Sequence, residues 1–331
     1  MKKGLLMLGA AAMMLASCTQ NEVVEVAESR TIGFDVFVGN TTKAEITKDN
    51  LESFQVYGGY VTTASAGTAT NLTNVWENVT VNKNTGWTAE GDPKYWAAGM
   101  TYQFAAYAPA TAGTPAVNAD NKNLNLTGVV ANATTQNDFI YDTETVTTND
   151  PLEVTPGKVK FTFEHQLAMI KVTFNSKFAA EYKLTISDLE IYGMNSTADF
   201  TGSTMTWGNF SAPIAQGSGF KTIPSKDAQN TTPAKSGEFI VIPQTEGTMN
   251  VNFTATAYDT HETKVASHKF TGTVTPNWTK GYVYNYSVDI KPSDFQGGGE
   301  GEDDIFVIEF DTPDFTPWNK EGAQDGGNIT F

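Results

Sequence analysis

Few residues in this chain are able to do covalent or metal chemistry. Cys18 is the single thiol in 331 residues, and there are three histidines. One thiol cannot form an internal disulfide, so burial and backbone pairing must supply the stability. His261 and His268 fall in and beside one apparent hairpin and read as surface histidines rather than as a metal pair. His165 lies between apolar strands and reads as a hydrogen-bonded structural residue. No Gly-x-Ser-x-Gly nucleophile elbow occurs, and no thiol is free for catalysis. Gly297–Gly299 lacks the following Lys-Thr and helix of a phosphate cradle. Glu300–Asp304 lacks the spacing and turn glycine of a calcium loop. Acidic residues number 37, yet nothing singles out a carboxylate pair for glycoside hydrolysis. The reading is therefore a non-enzymatic protein with no catalytic residue, no metal site and no cofactor.

The chemistry that does stand out is at Cys18. Lys2 and Lys3 precede an apolar run from Gly4 to Ala16, and Leu15-Ala16-Ser17-Cys18 ends it with small residues. A charged start, a short apolar stretch and a small-residue cut make a bacterial secretory signal. The run is well short of the roughly 20 residues that span a bilayer. Leu-Ala-Ser-Cys resembles a lipobox, which implies a diacylglyceryl thioether on Cys18 as the mature N-terminus. The alternative is a small buried cysteine within an uncleaved anchor. Residues 1–17 are set aside as signal peptide.

Loss of Lys2 and Lys3 with the signal makes the mature chain two charges more negative than the formal −16 of the whole sequence. So acidic a surface repels polynucleotides and anionic headgroups, which excludes a nucleic-acid partner. Twenty Phe, twelve Tyr and six Trp supply core material. The length left after signal and tail suggests about two domains.

Apolar residues recur mostly with period two, punctuated by Asn, Gly, Asp and Pro, which is an antiparallel β pattern. Ile32, Phe34, Val36 and Val38 share one face. Phe54–Tyr57, Tyr102–Tyr107, Val159/Phe161/Phe163, Ile170/Val172/Phe174 and Leu184/Ile186/Leu189/Ile191 behave similarly. Phe239–Ile242 is a continuous apolar run stopped by Pro243, as in a strand buried on both faces. Val251–Tyr258 and Val265–Phe270 flank Asp259–Thr263 as a hairpin. Tyr282, Tyr284 and Tyr286 alternate in the last strand of the body. Helices are expected to be short only. The expected division is signal 1–17, an N-terminal β-sandwich 18–157, a C-terminal β-sandwich 158–292, and a tail 293–331. In the tail, Gln296–Asp304 reads as a flexible acidic linker. Beyond it, Ile305–Phe310 reads as a strong strand.

An ordered set of weak motifs resembles the fimbrillin family, the subunits and relatives of type V pili of Gram-negative anaerobes. The set runs from Cys18 through Thr31–Val38 and Thr41–Ala44, then Phe54–Gly58, Tyr95-Trp96 and Tyr102–Pro109. It continues through Phe163–Ala168, Ile240–Gln244 and Gly281–Tyr286. The resemblance implies two tandem transthyretin-like antiparallel β-sandwich domains with a C-terminal extension strand. It implies export as a lipoprotein to the outer membrane and cell surface. It also implies proteolysis after a basic residue that removes the first strand, whose groove is then filled by the C-terminal strand of a neighbouring subunit. Lys43, before Ala44, stands where pilin members commonly have Arg. Cleavage at Arg30 would remove nothing structural, and anchor and tip relatives need not be cleaved.

Removing a strand exposes an edge and an apolar groove. Phe306, Ile308 and Phe310 share one face and match Ile32, Phe34 and Val36, which makes them the candidate donor strand. Burying three such side chains yields roughly 5–9 kcal/mol. The alternative is pairing of Ile305–Phe310 within its own chain, since the linker permits a return. The expected partners are other fimbrial subunits, the outer membrane through the lipid, and a host or bacterial surface receptor. The rival reading is a surface glycan-binding lipoprotein, in which Trp76, Trp87 or Trp96 stacks on sugars while at least two of the three pack in cores.

Overall fold

The computed structural model describes residues 30–38, 46–47, 49–68, 71–117, 124–151, 156–221, 226–228, 232–296 and 305–317. Cys18, Lys43, Ala44 and the acidic linker 297–304 lie outside them. The described residues form strands joined by turns and two short 3-10 turns, as the period-two patterning requires. No helix among them is long and apolar enough to cross a membrane.

In chain order the first strands are β1 (Gly33–Val38), β2 (Ser53–Thr62), β3 (Thr73–Lys83), β4 (Trp87–Ala89) and β5 (Met100–Ala108). β6 (Thr114–Val117) and β7 (Leu124–Val130) leave this group, and β8 (Ile140–Thr147) and β9 (Lys158–His165) rejoin it. The seven close into a barrel in the order β1-β4-β3-β2-β5-β8-β9. The first of the two expected sandwiches is thus closed by β1, which pairs in parallel with β9 and through one antiparallel pair, Phe34 with Trp87, with β4. Its core gathers Ile32, Phe34, Val36 and Val38 against Phe54, Trp76, Phe104 and Phe161.

The second unit uses β10 (Ala168–Ser176), β11 (Lys183–Tyr192), β14 (Phe220–Lys221), β15 (Lys226–Ala228), β16 (Ala234–Lys235) and β17 (Phe239–Val241). It adds β18 (Met249–Tyr258), β19 (Lys264–Val274), β20 (Tyr282–Ile290), β21 (Ile305–Val307) and β22 (Asp314–Pro317). One sheet runs β16-β10-β20-β22 with β17 also on β10; the other runs β14-β11-β18-β19-β21 with β15 also on β11. Their facing sides enclose Ile170, Val172, Phe174, Phe253, Phe270 and Tyr286. The expected hairpin is present as β18 and β19.

A third sheet joins the halves. β12 (Asn195–Thr201) and β13 (Thr206–Pro213) pair through β12 with β7, and β7 with β6, in the order β13-β12-β7-β6. It covers a separate core in which Tyr107, Leu126 and Tyr141 meet Met169, Phe200, Ile240 and Ile242. The run Phe239–Ile242 is explained here: Phe239 and Val241 enter the second unit's core while Ile240 and Ile242 enter the shared one. The expected division at 157/158 does not coincide with this pairing. β9 belongs to the barrel through β1 and β8, so the chain changes unit at Gln166–Leu167. The chain between β8 and β9 thus connects neighbouring barrel strands rather than two units, and Thr155, the first residue of the expected boundary turn, lies outside the described residues.

Candidate assembly site

β1 alternates as its sequence requires. Phe34 and Val36 turn inward and are buried, while Asp35 and Phe37 turn outward. The Phe34 ring stacks on Phe161 at 6.0 Å between centroids and lies 5.2 Å from Trp76. Opposite residues on β9 run from Gly33 with Lys158 to Val38 with Phe163. This places Asp35 opposite Lys160. Upstream, Ile32 N donates to Lys94 O at 2.8 Å and Trp96 N to Arg30 O at 2.9 Å. Four buried side chains, Ile32, Phe34, Val36 and Val38, contribute about 6–12 kcal/mol and would leave an apolar groove beside β9 if β1 departed.

The segment that follows β1 is tied down beyond the candidate cleavage point. Ile46 N donates to Asp138 Oδ2 at 3.1 Å, and the same oxygen lies 2.7 Å from His165 Nδ1. Phe139 N donates to Asp138 Oδ1 at 2.8 Å. Asp138 and His165 are 3% and 2% exposed. His165 is therefore the structural, hydrogen-bonded residue expected from sequence; its partner Asp138 carries no sequence signal that separates it from other acidic residues.

The tail rests on its own chain, along one side of the second unit. β21 pairs in parallel with the outer side of β19, placing Ile305, Phe306 and Val307 opposite Lys269, Phe270 and Thr271. Ile308 N then donates to Thr271 O at 2.9 Å. The chain crosses between the sheets, where Asp311 N donates to Ser287 O at 3.0 Å, and β22 pairs antiparallel with β20. The six-residue strand expected at Ile305–Phe310 is thus three residues of ladder followed by a crossing segment, because residues beyond Ile308 turn toward the second sheet. Phe306, Ile308 and Phe310 do share one face, packed on the unit's core, with Ile308 9% exposed. In this structure their face therefore packs within its own chain. Gly272 makes room for this contact, since a Cβ there would fall within the Phe310 ring. The opposite face is open: Ile305 and Val307 are exposed, Val307 at 83%.

β22 was not legible in the sequence, because Pro313 and Pro317 bracket it. Its Phe315 ring lies 5.9 Å from both Tyr282 and Tyr284 and helps to line a cavity of about 590 Å3 with Tyr286, Asn277 and Thr312. Among the three candidate tryptophans, Trp76 and Trp96 are buried in the barrel core. Trp87 is partly buried against Phe54, with Lys83 Nζ 6.0 Å from its ring. His261 is exposed in the β18–β19 turn, and His268 packs on Phe306 at 4.4 Å between rings.

Residues 40–306 match the family described as fimbrillin-like. No curated protein matches the chain. Among solved structures, a candidate cell adhesion protein from Bacteroides ovatus is 13% identical, with 88% of this chain and 99% of that chain covered at a TM-score of 0.45. A second candidate cell adhesion protein, from Bacteroides eggerthii, is 16% identical over 87% and 97% at a TM-score of 0.44. The fimbrial anchor protein Mfa2 from Porphyromonas gingivalis is 8% identical over 84% and 95% at a TM-score of 0.36.

Proposed function

This chain belongs to the fimbrillin-like family, and from that membership we propose that it is a surface lipoprotein acting as a structural or accessory subunit of fimbriae that assembles by β-strand addition. The family supports a fimbrial type of role at the cell surface, and on this reading the role is structural rather than enzymatic. Lipid on Cys18 anchors the exported chain in the outer membrane. Processing after Lys43, before Ala44, frees β1. The tail strand carrying Phe306, Ile308 and Phe310 then enters the groove of another subunit. A tandem transthyretin-like reading of the two units and adhesion to a surface receptor belong to the same proposal.

The observation that carries it is the unequal hold on two strands of similar pattern. β1 is laddered to β9 over six residue pairs and buries both Phe34 and Val36 at the centre of the barrel. β21 is laddered over three pairs at the rim of a sheet, with one apolar face in solvent. If Phe306, Ile308 and Phe310 replace Ile32, Phe34 and Val36, Val307 takes the place of Gly33 opposite Lys158. Glu309 then takes the place of Asp35 opposite Lys160, so a carboxylate again faces that lysine.

The test replaces residues 40–43 by a site-specific protease sequence and follows assembly by negative-stain electron microscopy. Cleaved chains are expected to polymerise, whereas uncleaved chains and cleaved Ile308→Asp chains stay monomeric. Cleaved chains that stay monomeric, or Ile308→Asp chains that polymerise equally well, overturn the proposal.

A further inference from the structure

We propose that a cavity at the β2–β3 bulge of the barrel binds a neutral saccharide. The cavity holds about 450 Å3 and is lined by Tyr57, Asn74, Trp76, Glu77, Asn78 and Val117. That volume falls in the range of small-molecule sites. The two strands are out of regular register here, with shifts between Val56 and Gly58 and between Gly58 and Gly59. Asn78 sits in the left-handed region at φ 51°. Bulges re-aim side chains, and asparagine tolerates that backbone conformation.

The lining mixes donors and acceptors whose bonding capacity is not filled among the described residues. Trp76 is 5% exposed, and its indole N–H is enclosed with no acceptor among the described residues. An enclosed donor without a partner is destabilising until some oxygen accepts from it. Burial and then the charge of Glu77 push the Tyr57 phenol up to about 12, so it stays protonated and donates. Asn78 Oδ1 accepts from Tyr107 O–H at 3.3 Å, which leaves the Asn78 amide nitrogen for another partner. Asn74 donates to Glu77 Oε1 and so orients the carboxylate. The second oxygen of Glu77 and the amide oxygen of Asn74 are acceptors.

This set selects by chemistry. Among the described residues the lining contains no lysine or arginine, and Glu77 repels anions. A protonated amine satisfies Glu77 but cannot accept from Trp76, Tyr57 and Asn78. A hydroxyl does both, and several hydroxyls on one ring meet alternating donors and acceptors together. Val117, which is exposed, offers an apolar wall to the C–H face of a pyranose. The reading does not depend on fimbrial assembly.

The test titrates the full chain with glucose, galactose, mannose, N-acetylglucosamine and glucosamine, read by calorimetry and indole resonances. At least one neutral sugar is expected to bind with a Kd on the order of 1 mM. Trp76→Phe keeps a ring and removes the N–H; Tyr57→Phe and Glu77→Gln remove the other two polar contributions. Each is expected to weaken binding by about tenfold or more, with the melting temperature of Trp76→Phe unchanged or raised. The proposal is overturned if no neutral sugar binds, if the variants bind as the parent does, or if glucosamine binds more tightly than glucose.

Discussion

Asp138, just before β8, is one carboxylate on which two other parts of the chain converge, the segment after β1 and the end of β9, and it also accepts from its neighbour Phe139 N–H. Asp138→Ala leaves the Ile46 and Phe139 N–H groups and the His165 ring without their acceptor. It is expected to cost about 3 kcal/mol, read as a lowered denaturation midpoint. A midpoint within error of the parent contradicts the assignment. Two carboxylates on β8 behave differently. Burial, then the charge of Asp142, raises the Glu144 carboxyl above its ordinary value. Burial also raises Asp142, opposed by hydrogen bonds from Thr162 and Thr143 N–H. A raised carboxyl favours the folded state below the ordinary carboxylate range, and that contribution is lost as pH rises through the folded value. Glu144→Gln is therefore expected to raise the melting temperature at pH about 7 and to give no gain at pH about 3. A gain of equal size at both values contradicts it. His165 could be recognised from its apolar flanks; Asp138 could not, because one acid among 37 has no local mark.

At the scale of the strand, the two ends of the chain differ in what they hold together. Removing residues 305–317 costs the burial of Ile308, part of Phe306 and Phe310, and two short ladders. That is about 3–5 kcal/mol, so a chain ending at Gln296 is expected to fold with a lowered melting temperature. Gly272→Ala should do part of the same, because the new methyl group displaces the Phe310 ring. Loss of the cooperative transition on tail removal would show that the tail is integral to its own unit. Period-two patterning made β1, the β18–β19 hairpin and β20 legible, since each keeps one face in a core. It failed at β22, which is short and flanked by prolines. It also overran at Ile305–Phe310, because pattern records which face is apolar and not where the ladder stops.

For the whole molecule, the decisive element is the sheet shared by both halves. β7 comes from the first half and β12 from the second, and their common core contains residues of both. Lys280 adds to the junction, its Nζ lying 3.1 Å from Glu164 Oε2 and 3.0 Å from Gln166 Oε1. Barrel and second unit are thus expected to melt together, as a single calorimetric transition with agreeing calorimetric and van't Hoff enthalpies. Two resolved transitions would refute that coupling. A boundary read from sequence at 157/158 missed this, because a connection between two barrel strands and a connection between domains carry the same residue types. The resemblance reached further than the patterning, since the fimbrillin-like family spans residues 40–306.

The most direct measurement of strand exchange is a pair of disulfide traps on chains cleaved between residues 40 and 44, which also removes Cys18. Thr271→Cys with Val307→Cys reports the tail on its own β19, where those two residues are opposite. Lys158→Cys with Val307→Cys reports the tail in the vacated place of β1. Before cleavage only the first pair is expected to close, within one chain. After cleavage the second pair is expected to close between chains and give a ladder of covalent oligomers. If the first pair still closes within one chain after cleavage and the second stays reduced, the tail belongs to its own subunit and assembly by strand addition is wrong for this protein.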